Sequence, residues 1–117
     1  MITSIAFTVY PVSDIAKSRQ FYEKVLGLKL DHNFQDRWIE YDIAGQTFAI
    51  TTMMDNHKPG AKGADIGFEV DDLDQTLAHL KQLKTPVVVD PFATSVCRMA
   101  VIADPDGNTI IIHKRHK

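Results

Sequence analysis

The chain has 117 residues, 44% of them hydrophobic and 24% charged, which is the balance of one compact globular domain with a real core. Its formal charge of −2 gives no general attraction to nucleic acid or to anionic lipid. One cysteine, Cys97, rules out an intrachain disulfide, and no run of residues has the length and apolarity of a membrane span.

Taken in chain order, Ser4 to Val9 alternates and is rich in β-formers, which predicts a strand with Ile5, Phe7 and Val9 toward a core. Ser13 is placed to cap a helix over roughly Asp14 to Leu26, with Ile15, Phe21, Tyr22, Val25 and Leu26 as its apolar face. Gly27 is its expected stop. Strands follow near Leu28 to Asn33, Arg37 to Ile43 and Thr47 to Met53, the last two joined by a turn at Ala44-Gly45-Gln46. The segment from Asn56 to Gly63 carries Pro59, Gly60 and Gly63 and reads as a linker. Asp65 to Val70 is the next strand. Asp72 with Gln75 resembles a capping box opening a helix over Leu73 to Lys84, which Pro86 ends. Strands are then expected near Val87 to Asp90, Val96 to Ala103 and Asn108 to His113, with Asp104-Pro105-Asp106-Gly107 as a turn.

The second half repeats the first. Gly45-Gln46-Thr47-Phe48-Ala49-Ile50 matches Gly107-Asn108-Thr109-Ile110-Ile111-Ile112, and Ile5-Ala6-Phe7-Thr8-Val9 matches Ile66-Gly67-Phe68-Glu69-Val70. Two matches at nearly one spacing imply two copies of a supersecondary unit. The fold class is therefore α+β: two βαβββ modules, about 1–56 and 64–115, within a single domain over 1–117. Each is a curved mixed sheet with one helix behind it.

Strand alternation sorts candidate site residues onto the face turned away from the helices. Asp65 and Glu69 share that face four residues apart, suited to holding a cation, to acid–base work or to partnering Arg98 and lysines. Trp38 and Glu40 lie on it if Ile39 and Ile43 face the helix. A tryptophan beside polar groups suits an organic ligand or a dimer interface. His113 points along the same face beyond Ile111, or is a strand-end surface residue. Arg98 is placed to neutralise an anionic ligand or to cap a strand edge. Cys97, in an apolar stretch, reads as a small core residue.

The run Val12-Ser13-Asp14-Ile15-Ala16-Lys17-Ser18-Arg19-Gln20-Phe21-Tyr22 with Leu26-Gly27-Leu28 resembles the opening module of the vicinal oxygen chelate superfamily. Phe68-Glu69-Val70-Asp71-Asp72-Leu73 and Asp104-Pro105-Asp106-Gly107-Asn108 resemble its second module. That superfamily includes glyoxalase I, extradiol dioxygenases, and fosfomycin- and bleomycin-resistance proteins. The resemblance covers nearly the whole chain, but its motifs are caps, helix faces and turns.

In metal-using members each module supplies one ligand at its first strand and one in its last strand. Carried over, those positions fall here on Ser4 or Phe7, on Ala49, on Asp65 and on Ile111. Of these only Asp65 is a donor, so no cofactor is expected, and a metal would need relocated ligands such as Asp65, Glu69 and His113. The resemblance further implies a homodimer and a site built from two modules, paired within or between chains. A small organic molecule is the expected partner, with no nucleic acid or membrane, in the cytoplasm. Two functions stay open: a metal-free binder, and a metal-dependent lyase, isomerase or dioxygenase.

Overall fold

A computed structural model describes residues 1, 3–54, 58–60 and 65–116. The expected linker lies mostly outside them. The chain divides into two compact units, Met1–Ala61 and Lys62–Lys117. Among the described residues, no helix is long and apolar enough to cross a membrane.

In the first unit the elements run β1 (Thr8–Pro11), α1 (Ile15–Arg19), a π-helical turn (Gln20–Val25), β2 (Lys29–Phe34), β3 (Trp38–Ile43) and β4 (Gln46–Thr51). The sheet order is β1-β4-β3-β2, with β1 parallel to β4 and the other neighbours antiparallel. The second unit repeats this with β5 (Ile66–Glu69), α2 (Leu73–Gln82), β6 (Val87–Ala93), β7 (Cys97–Ala103) and β8 (Thr109–Arg115), in the order β5-β8-β7-β6. The two βαβββ modules read from the repeat are both present.

The register of the first strand corrects the sequence reading. Thr8 pairs with Phe48 and Tyr10 with Ile50, just as Ile66 pairs with Ile110 and Phe68 with Ile112. Because Phe48 and Ile110 are repeat equivalents, Tyr10 matches Phe68, and the two modules align without a gap through β1 and the helix cap. Phe7, not Ser4, then corresponds to Asp65. Ile5 lies before the strand and is 87% exposed, while Tyr10 and Val12 are buried. Pro11 hid this strand from the alternation pattern. It is tolerated because β1 is the outermost strand of this sheet, where a missing N–H costs little. The same register moves the helix cap from Ser13 to Asp14, which is extended (φ −141°) and accepts from the Lys17 N–H at 3.0 Å. Asp72 does the same for Gln75 at 3.0 Å.

Behind the first sheet the core is aromatic. Phe21 and Tyr22 pack from the π turn, with Tyr22 at 5.3 Å from Phe48 and 6.3 Å from Tyr41 between ring centroids. Leu26 N–H reaches back five residues to the Phe21 carbonyl at 3.0 Å. This widened turn reduces the angle between successive side chains, so Phe21 and Tyr22 both reach the core. Gly27 then ends the helix at φ +73°, as expected. Behind the second sheet the core is aliphatic: Leu73 and Leu80 of α2 are buried, as are Ile102, Ile110 and Ile112. Full burial of each such side chain contributes about 1.5–3 kcal/mol.

Candidate functional site

In the first unit, Ile39 and Tyr41 of β3 turn toward the helix and are fully buried. Tyr41 confirms the direction, since its hydroxyl donates to Glu23 Oε2 at 3.0 Å. Trp38, Glu40 and Asp42 therefore project from the other face. Cross-strand pairing adds His32 opposite Glu40, and Phe34 opposite Trp38. The Trp38 Nε1–H donates to Glu40 Oε2 at 2.9 Å. The Phe7 ring meets Trp38 edge-on at 5.2 Å and 87°. His32 stacks on Phe34 at 5.6 Å and 17°. Phe7 is 44% exposed and Phe34 50%, so the face offers aromatic surface beside the carboxylates of Glu40 and Asp42. His32 and Phe34 were not singled out from the sequence as site residues, and Phe7 entered only as an alternative for a metal-ligand position. The alternation of β2, folded back on β3 by its tight turn, carried that information.

In the second unit, Glu69 and His113 pair with each other, while Asp65 bonds elsewhere. Thr109 Oγ1 donates to Asp65, which holds that carboxylate at the start of β5. Glu69 Oε1 stands 2.5 Å from His113 Nδ1, its pairing partner across β5 and β8, and Oε2 accepts from the Arg115 N–H at 2.7 Å. The Arg115 backbone N–H, then His113, hold the Glu69 carboxyl below its usual range. A carboxylate bonded to one imidazole nitrogen leaves the other to face a ligand, the arrangement of a general base or of an anchor for a hydroxyl. An open recess of about 490 Å³, lined by Ser95, Val96, His113, Arg115 and His116, adjoins it.

Arg98 is on the opposite face from the one a ligand role requires. Its neighbour in register is Lys114, on the helix side of β8, and its guanidinium forks onto Asp74 of α2 at 3.1 and 3.2 Å. That hydrogen-bonded pair holds the Asp74 carboxyl low. Arg98 thus ties the helix to its sheet, rather than pairing with Glu69 or Asp65. Cys97 is buried, with its Sγ 3.2 Å from Thr94 Oγ1, as a core residue should be.

The positions that the family resemblance would give to a metal carry Phe7, Ala49, Asp65 and Ile111. Ala49 is fully buried, Ile111 lies opposite Gly67 in β5, and the Phe7 ring is engaged by Trp38. Of these four side chains, Asp65 alone carries a heteroatom.

A family model for the Glyoxalase/Bleomycin resistance protein/Dioxygenase superfamily matches residues 4–112. Among solved structures, the chain is similar to TnmS3, an antibiotic binding protein from Streptomyces sp. CB03234, with 26% identity, 98% of each chain covered and a TM-score of 0.84. It is also similar to a glyoxalase/bleomycin resistance protein from the same Streptomyces strain, with 28% identity, 93% of this chain and 98% of the other covered, and a TM-score of 0.79. A lactoylglutathione lyase from Agrobacterium tumefaciens shares the fold at 20% identity, with 97% and 95% covered and a TM-score of 0.76. No curated protein sequence matches the chain. Topology, repeat and family match agree: the chain belongs to the Glyoxalase/Bleomycin resistance protein/Dioxygenase superfamily.

Proposed function

We propose that this protein binds a small aromatic organic molecule without a metal at the superfamily's usual positions. The carrying observation is the Phe7–Trp38–Glu40 group. An edge-to-face aromatic pair offers flat apolar contact, and a carboxylate fixed by an indole N–H offers a directed acceptor. The similarity to an antibiotic binding protein supports this reading. So does the replacement of ligand positions by Phe7, Ala49 and Ile111. We take the working form to be a homodimer in the cytoplasm; the homodimer is supported by the second sheet's outermost strand, which leaves Val87, Val88, Val89 and Phe92 exposed for a second copy to cover.

A second reading, a metal-dependent enzyme with relocated ligands, draws on the Glu69–His113 pair. The two readings separate in one titration. Trp38 is the sole tryptophan, so its emission reports on this face alone. Chelator-treated protein should show saturable quenching with metal-free bleomycin or another member of a panel of planar aromatic antibiotics, and Phe7→Ala should weaken it. Binding that appears only after a divalent metal is restored would refute the metal-free reading. Absence of quenching across the panel, with and without metal, would remove the Trp38 face from the site.

A further inference from the structure

We propose that Asp31, His32 and Glu40 form a site for one divalent transition-metal ion, on β2 and β3, with none of its donors at a position the superfamily uses. Asp31 and His32 are adjacent in β2, and on a regular strand they would point to opposite faces. The pairing of β2 with β3 shifts register between Leu30 and His32. Such a bulge is the backbone device that re-aims one side chain and lets neighbours converge. Asp31 Oδ2 and His32 Nδ1 stand 3.2 Å apart. Two donors on one tetrahedral ion, each bonded at about 2.0–2.2 Å, are separated by roughly that distance. Glu40 faces His32 across the ladder, and one donor atom from each of the three residues lies within 4.8 Å of the others. Small side-chain rotations would close the set.

The surroundings orient these donors. Phe34 stacks on the His32 ring, and the Trp38 N–H holds Glu40 Oε2, leaving Oε1 to turn toward an ion. Such supporting contacts are what make loose donors into a site. One imidazole and two carboxylates suit Zn²⁺ or Ni²⁺ better than the all-oxygen shells preferred by Ca²⁺ or Mg²⁺. Three protein donors leave a position open for water or for a ligand heteroatom. The His32 and Asp31 side chains are 60% and 43% exposed, so an ion reaches them from solvent. This inference does not depend on the organic-ligand reading.

The test is calorimetric titration of chelator-stripped full-length protein with Zn²⁺. One ion per chain is expected. His32→Ala and Glu40→Gln should each weaken binding more than about tenfold, and Trp38→Phe about tenfold, through lost orientation of Glu40. His79→Ala, on α2, should change nothing, and circular dichroism should show every variant folded. Wild-type protein without saturable Zn²⁺ binding would overturn the proposal. So would binding that survives both His32→Ala and Glu40→Gln.

Discussion

Replacing Asp104 by alanine should loosen the hairpin that delivers β8 to its site positions. Asp104 is only 4% exposed, and its carboxylate organises the turn. Oδ1 accepts from the N–H groups of Asp106 at 2.9 Å and Asn108 at 2.8 Å, and Oδ2 accepts from Asn108 Nδ2 at 2.8 Å. Its backbone also pairs with Asn108 and Gly107 at 3.0 and 2.9 Å. Asn108 is itself 5% exposed, so truncation takes the acceptor from two donors that water reaches poorly. At about 1–3 kcal/mol for each buried donor so stranded, the loss is about 3 kcal/mol. Asp106 is better exposed and exchanges its bond for water. For a chain of this size that loss lowers Tm by roughly 10 °C. Urea unfolding followed by far-UV circular dichroism measures it directly. Asp104→Asn should lose less, because one oxygen still serves the two backbone N–H groups. A loss below about 1 kcal/mol in Asp104→Ala would refute the view that this carboxylate sets the β7–β8 turn.

Gly107→Val should destabilise the same turn by about 1–2 kcal/mol in the same assay, because φ is +84° and a β-branched residue resists that region. Among the described residues nothing lies within 4 Å of an added Cβ, so Gly107→Asn should cost less; equal losses would point to crowding instead. Ser18→Ala should be neutral or stabilise by up to about 1 kcal/mol, since Ser18 Oγ is buried without a hydrogen-bond partner among the described residues. A clear drop in Tm would reveal a partner. Glu23 is held below its usual carboxylate range, first by the hydrogen bond from Arg19 at 2.6 Å and then, against the opposing effect of burial, by Tyr41. Its folded form therefore binds a proton less readily than its unfolded form. That contribution to stability is complete above the unfolded value near about 4.3 and is lost as pH falls through the lower folded value. Glu23→Gln should flatten the acid limb of a stability–pH profile, and an unchanged limb would contradict the assignment.

The sequence by itself determined the two modules, their order of elements and most of their ends. Periodicity placed α2, repeated Gly-x-Thr segments placed β4 and β8, and Gly27 and Gly107 fell where the backbone takes positive φ. These are local properties, written in spacing and in residues that only certain dihedrals admit. Tertiary structure decided the register of β1, because alternation at Ile5-Ala6-Phe7-Thr8-Val9 looked the same in either alignment. Only pairing with β4 showed that Tyr10 and Val12 are the core residues. It also decided which face Arg98 occupies, since a charge on a strand carries no sign of which neighbour it will meet; Asp74, on α2, is that neighbour. The bulge that gathers Asp31 and His32 beside Glu40 was likewise absent from the pattern. A one-residue slip between paired strands turns side chains to the other face, and that choice is made by the partner strand rather than by the residues themselves.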